Sequence, residues 1–334
     1  MDLTFVSIII TNYNYREYLD ECIQSALNQT YEKKEVIIVD DGSKDGSIEL
    51  IESYRKKVYA IFKRNGGQAS AMNAGLLKAN GDFVIFLDSD DYLYEEAIEI
   101  IIAHLNKDMS RLHYRLDVIN RIGKKIGKEP NGNTPMFSGD AVSKLINSGS
   151  IQIVPTSGNV FNKCVLDEIF PIPEDEFRLN ADFYLIAKSS FYGQVGCVDD
   201  CLGAYRVHGK NNFCTWLNSI DAKDWKSPIQ HYFQSNYFLE KQLREIRSID
   251  IDWKYKSIKF FDYVILLRKW HIKCEYFNRP TFIGLLIHYI YYVFRRSNTR
   301  LYKKLIYLLF VFMSEILTKN LIMKVVKFRY KKRK

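Results

Sequence analysis

Residues Ala79 to Asp91 read ANGDFVIFLDSDD. Five consecutive apolar residues, Phe83–Leu87, lie between a glycine break at Gly81 and the polar run Asp88-Ser89-Asp90-Asp91. A short continuous apolar run bounded by turn residues has the pattern of a strand buried on both faces. The same unit recurs upstream. Phe5–Thr11 (FVSIIIT) runs into Thr11-Asn12-Tyr13-Asn14, and Glu35–Val39 (EVIIV) runs into Asp40-Asp41-Gly42-Ser43. A further strand is expected over Val58–Phe62. Between them, helical spacing of apolar residues covers Arg16–Asn28, Asp45–Tyr54 and, after the turn Asn65-Gly66-Gly67, Gln68–Ala79. Strands alternating with helices predict an α/β fold: a doubly wound, mostly parallel sheet with helices on both faces.

After a helix over Glu95–Asn106 the pattern changes. Leu112–Ile119 and Ile122–Ile126 flank Gly123-Lys124 as a hairpin. Asp140 caps a helix through Ile146, and Gly193–Val198 and Leu202–Val207 read as two late strands. From about Phe213 the chain is mostly helical and rich in Tyr, Trp and Lys. The expected division is an α/β domain over 1–215 and a helical, basic C-terminal extension over 216–334.

Charge is distributed unevenly. The 334 residues carry a formal net charge of +9. Lys319, Lys324, Lys327, Arg329, Lys331, Lys332, Arg333 and Lys334 supply nearly all of it, with no acid among them. The body is close to neutral, which argues against a nucleic-acid-binding surface. Two apolar and aromatic stretches, Phe282–Phe294 and Leu305–Met313, precede the basic tail, and each is shorter than the ~20 residues a spanning helix needs. Short apolar helices flanked by Lys, Arg and Tyr suit a membrane interface, and a basic tail adds attraction to anionic lipid. A helical cap with a solvated tail is the plainer alternative. The chain starts Met1-Asp2 and reaches a strand at once, so no signal peptide is expected. Six cysteines without zinc-site spacing read as reduced thiols of a cytosolic protein.

Ligands of open parallel sheets bind beyond the carboxyl ends of the strands. Three polar clusters fall there, and turn chemistry accounts more readily for one than for three. The run Asp88–Asp91 packs three carboxylates into four residues. Their mutual repulsion calls for a cation, and hard oxygen ligands suit Mg2+ or Mn2+ rather than zinc. No GxxxxGK[ST] loop is present, so phosphate would be neutralised chiefly by metal.

The segments VSIIITNYN, VIIVDDGSKDGS, NGGQASAMNAGL, ANGDFVIFLDSDD and YRVHGKN, in this order over about residues 5–211, resemble the family 2 glycosyltransferases of the GT-A fold. That resemblance implies an inverting enzyme using a nucleotide-sugar, most often a UDP-sugar, for hexosyl or N-acetylhexosaminyl transfer to a glycan or lipid-linked acceptor. It implies that Thr11, Asn12 and Tyr13 line the nucleoside pocket, with Asp41 and Asp40 facing the base. Gly67 and Asn73, in the turn and helix Gly66–Asn73, would approach the nucleotide and diphosphate, and Ser89 would contact the donor. Asp88 and Asp90 match the DxD metal motif, His208 matches a position reaching metal or diphosphate, and Asp182 in NADFYL matches the general base. The chain departs from the pattern at Met72, where many members carry a basic residue; Arg206 or Lys210 could supply that charge. Asp91, Ser157, Asn159 and Arg206 are candidate acceptor or sugar contacts.

The residue chemistry is compatible with these roles: an inverting displacement needs one base at the acceptor and one sink for the departing diphosphate. Each candidate also has a bland reading. Asp182 could only cap the helix through Lys188, His208 could be a half-buried strand histidine, and residues 155–159 could be a plain turn. Two other functions share parts of the pattern. A sugar-1-phosphate nucleotidyltransferase would usually open with a Gly- and Arg-rich loop, absent after the first strand. A non-catalytic membrane scaffold would have no need of intact Asp88, Asp90 and Asp182. The expected location is cytoplasmic, peripheral at the inner face of the membrane.

Overall fold

The computed structural model describes residues 4–148, 150–209, 211, 226–249 and isolated positions between 264 and 324. The chain divides into two compact units, Met1–His208 and Gly209–Lys334. The expected boundary near 215, residue Lys210 and most of the two apolar stretches and the tail lie outside the described residues.

The first unit begins β1 (Val6–Asn12), α1 (Arg16–Leu27), β2 (Lys34–Asp40), α2 (Ser47–Ser53), β3 (Tyr59–Phe62), α3 (Gln68–Leu76) and β4 (Phe83–Asp88). β1 pairs in parallel with β2 on one side and β4 on the other, and β3 joins β2 in parallel. These strands are continuous apolar runs because helices cover both faces. One face packs Ile8, Ile10, Ile38, Ile85 and Leu87 against Leu19 and Ile23 of α1. On the other, Gly75 of α3 lies so close to Ile9 that an added Cβ would collide with the Ile9 Cγ2. Each fully buried Ile or Leu contributes roughly 1.5–3 kcal/mol relative to its exposed state.

The second half is mixed. β5 (Tyr92–Leu93) and α4 (Ala97–His104) lead to the hairpin β6 (Met109–Asn120) and β7 (Lys125–Glu129). There follow α5 (Ala141–Ser148), a 3-10 turn at Thr156–Gly158, β8 (Asn159–Asn162), α6 (Lys163–Ile169), α7 (Ala181–Ser189) and β9 (Gln194–Val207). The sheet order is β3-β2-β1-β4-β8-β6-β9-β5, with β7 on β6. β8 enters antiparallel between β4 and β6, a strand that the sequence pattern does not predict. The two late strands are one strand: β9 runs parallel to β6, and the register slips where Val198 faces Tyr114 and Cys201 faces Arg115. The expected break at Asp199-Asp200 is therefore a bulge, which adds residues without ending the pairing.

In the second unit α8 (Lys226–Arg247) buries Phe233, Phe238, Leu239 and Leu243, while Tyr237 is exposed. Among the described residues no helix is long and apolar enough to cross a membrane. Cys22, Cys164, Cys197 and Cys201 are free thiols.

Candidate active site

The strand order reverses at β1: β2 and β3 extend to one side, β4 to the other. A crevice opens at such a switch point, and the three polar clusters meet there. Thr11 is the register partner of Asp88, and Asn12 that of Asp40.

Within the clusters the side chains divide into those that build the loops and those left facing the cleft. Asp40 is fully buried. Its Oδ1 accepts from the main-chain N–H groups of Gly42 and Ser43, and its Oδ2 from Asn12 Nδ2 at 2.8 Å. It shapes the turn and has no free edge for a base, a correction to its expected role. Asp41 accepts from Lys63 Nζ at 2.7 Å and from the N–H groups of Gly66 and Gly67. It thereby folds the 65–67 turn back over the end of β2. Gly67 adopts a φ of +89°, and an added Cβ would lie 2.7 Å from the Arg178 carbonyl oxygen, so only glycine fits. Asn73 is committed elsewhere than to the donor: Nδ2 donates to Ile172 O and Glu174 Oε1, and Oδ1 accepts from Ile172 N. It ties α3 to the segment leading toward α7. Met72 is fully buried, so its position presents nothing to a phosphate. Tyr13, just after β1, is 47% exposed.

Four candidates for acceptor or sugar contact are corrected by burial. Asp91, Ser157, Asn159 and Arg206 are all at most 3% exposed. Asp91 accepts from Ser157 Oγ at 2.6 Å and from Arg206 N at 2.9 Å. Asn159 donates to the carbonyls of the 154–156 turn and accepts from Arg111. Arg206 donates from Nε to the Asp90 carbonyl, pairs with Glu21 and lies over the Tyr18 ring at 4.8 Å. Together they clamp the Asp88–Asp91 loop from behind. Buried polar groups need such partners, since each one lost costs about 1–3 kcal/mol.

Asp88, Asp90 and Asp182 lie close enough together for the charges of the last two to act on the first. The Asp88 carboxyl is pushed up to about 7, first by burial, then by the charges of Asp90 and Asp182, against the donors Thr156 and Gln68. Asp182, in the first turn of α7, is thus close enough to Asp88 for their charges to interact. Burial raises Asp182 to about 6, opposed by the Phe183 N–H that its Oδ1 accepts at 2.7 Å. His208 places Nε2 2.9 Å from Asp90 Oδ2 and stacks on Tyr18, with ring centroids 5.0 Å apart. These contacts hold the His208 ring beside the Asp90 carboxylate.

Among the described residues no three His, Cys, Asp or Glu side chains are gathered at ion-holding positions. The chemistry of the donor set nevertheless suits a hard divalent cation. Two carboxylates, Asp88 and Asp90, crowd one turn, and crowding raises one of them, a cost that a bound cation removes. Ser89 Oγ, beside them, is buried without a hydrogen-bond partner.

A crevice at the switch point, acids on the β4 tip and a carboxylate in the first turn of α7 fit a GT-A type fold. The chain belongs to glycosyl transferase family 2. That family's model matches residues 7–152. An uncharacterised glycosyltransferase of Nostoc is 34% identical over 228 residues, 66% of this chain and 70% of the relative. One of Rickettsia conorii is 28% identical over 288 residues, 81% of this chain and 46% of the relative, so the chain spans under half of that protein. The cholesterol galactosyltransferase of Borreliella burgdorferi is 39% identical over 109 residues, 31% of this chain and 30% of that enzyme. Among solved structures, S. aureus TarS in complex with UDP-GlcNAc aligns with a TM-score of 0.55 at 15% identity, over 98% of this chain and 92% of that one. The mannosyltransferase PcManGT of Pyrobaculum calidifontis, in complex with GDP-Man and Mn2+, gives 0.54 at 14% identity, over 97% and 87%. At these identities the two structures bear on the fold.

Proposed function

We propose that the protein is a metal-dependent inverting transferase. It moves a hexosyl or N-acetylhexosaminyl group from a UDP-sugar to a hydroxyl of a glycan or lipid-linked acceptor. The observation that supports this reading is the nearness of Asp182 to Asp88, close enough for the charge of the first to raise the carboxyl of the second. A base and an anion-handling centre face each other across the space a donor would fill.

The base at Asp182 accepts the acceptor's hydroxyl proton as its oxygen attacks the anomeric carbon and the bond to the diphosphate breaks. Asp88 and Asp90 would hold Mn2+ or Mg2+, an ion that would offset the negative charge of a departing diphosphate. His208 and Arg206 keep Asp90 in place, and Tyr13 covers the base. The named ligands of TarS and PcManGT support a nucleotide-sugar donor, with UDP and GDP the two nucleotides to compare. The experiment is a panel of UDP-, GDP- and dTDP-sugars with Mn2+, following nucleotide release. One UDP-sugar should turn over well above the rest; release of pyrophosphate from UTP and sugar 1-phosphate instead would replace the reading with a nucleotidyltransferase.

The second unit acts as a membrane-surface anchor at the inner face of the cell membrane. Support comes from Ile283, Ile287 and Ile290, spaced along one helical face and 69%, 59% and 40% exposed, and from Leu309 and Ile316, also exposed. The basic run from Lys319 lies a few residues beyond. Deleting 319–334 should lower co-sedimentation with vesicles of one-third phosphatidylglycerol at least several-fold, since each basic residue near an anionic surface contributes about 1 kcal/mol. Undiminished co-sedimentation would remove the electrostatic anchor.

A further inference from the structure

The cleft has an acidic interior and a donor whose diphosphate is itself an anion, so the placement of cations decides where that anion can rest. Among the described residues, Lys63, Arg178 and Arg206 bring lysine or arginine side chains to the loops of the site. Lys63 is held by the Asp41 carboxylate at 2.7 Å. Arg206 is buried and paired with Glu21. Arg178 differs from both. It is exposed, and the side-chain partner of its guanidinium is a neutral amide: Nη2 donates to Asn65 Oδ1 at 2.7 Å.

Its position is specific. The Arg178 side chain lies flat on Gly67, where an added Cβ would come 2.5 Å from Cγ and 3.4 Å from Nε. Its carbonyl accepts from Gln68 N at 2.8 Å. Gln68 in turn reaches toward Asp88 Oδ1 and Thr156 Oγ1, both at 3.4 Å. Arg178 is thus one residue removed from the acidic tip of β4, on the turn between the nucleoside side and the metal side. It also stands four residues before Asp182, on the segment that Asn73 pins to α3.

We infer that Arg178 is a side-chain cation that binds the donor's diphosphate beside the metal. This inference rests on the nucleotide-sugar reading above and deepens it. A guanidinium offers a planar fork of N–H donors matched to phosphate oxygens. Exchanging one neutral amide acceptor for a phosphate oxygen strengthens its bond, because charge-assisted pairs are the stronger ones. Arg178 moves no proton and forms no covalent bond. It fills the need that Met72, buried in the core, cannot meet, and it links donor occupancy to the segment carrying the base.

The test compares affinity for UDP and for uridine, with Mn2+ present, in wild-type protein and in Arg178→Gln and Arg178→Lys, all checked for an unchanged melting temperature. Arg178→Gln should weaken UDP by roughly 10- to 100-fold, the range for losing a hydrogen bond to a charged group, and leave uridine unchanged. Arg178→Lys should recover part of the loss. Equal UDP affinity in wild type and Arg178→Gln would overturn the inference, as would an equal loss for UDP and uridine, which would make Arg178 a support for the 65–68 turn. A wild-type protein that binds neither UDP nor GDP would instead sink the nucleotide-sugar reading itself, a different result from either.

Discussion

Asp182→Asn is expected to lose transfer by roughly a thousandfold, within the range for removing a general base, while UDP affinity stays within about twofold of wild type. The asparagine keeps the shape and can still accept from the Phe183 N–H, but cannot take a proton. Single-turnover transfer beside calorimetric UDP binding checks both halves. Two further consequences follow from the raised pKa of about 6. A base works only when ionised, so the wild-type rate should climb with pH through about 6 and level off above it. The fold also binds this proton more tightly than the unfolded chain does. The stability tied to the neutral acid is full below the ordinary carboxylate pKa and is lost as pH rises past about 6. A permanently neutral asparagine retains it, so Asp182→Asn should melt no lower than wild type at pH 7.5. Near-normal transfer by this variant would remove the proposed base.

Asp90→Ala carries the second large effect. Asp90 crowds Asp88, accepts from His208 and hands its carbonyl to Arg206. Removing its carboxylate should bring UDP affinity at saturating Mn2+ down to the value measured with EDTA, with transfer reduced at least a hundredfold. The companion Asp90→Asn separates two explanations. It preserves a side-chain oxygen for His208 but not the charge. If Asp90 only held His208, asparagine would restore function; if the charge holds the cation, asparagine will be nearly as impaired as alanine. Titrating Mn2+ against UDP binding in the three proteins distinguishes them.

The parallel half of the fold was legible because its strands are buried on both faces. FVSIIIT, EVIIV and FVIFL are uninterrupted apolar runs, and each ends where its cluster begins. β8 was not legible: four residues beginning and ending in asparagine, after Pro155-Thr156-Ser157-Gly158, look like a turn until β4 and β6 are seen on either side. The bulge in β9 broke the pattern without breaking the strand. At the site, residue type identified the strand-tip clusters but not which members face the cleft. Asp91 and Arg206 bond across 115 residues, and Asn73 and Ile172 across 99. No local pattern encodes such pairings, so Asp40, Asn73, Asp91, Ser157, Asn159 and Arg206 passed for ligand contacts when they are framework. Arg178 escaped notice for the converse reason. It is a lone loop arginine in sequence, and only the fold lays it on Gly67.

UDP titrated into the wild-type protein twice, once with Mn2+ and once with EDTA, tests the cation site most directly. Binding heat with Mn2+ that is absent or at least tenfold weaker in affinity with EDTA is the predicted result. The same affinity in both titrations would contradict a cation held by Asp88 and Asp90 against the nucleotide.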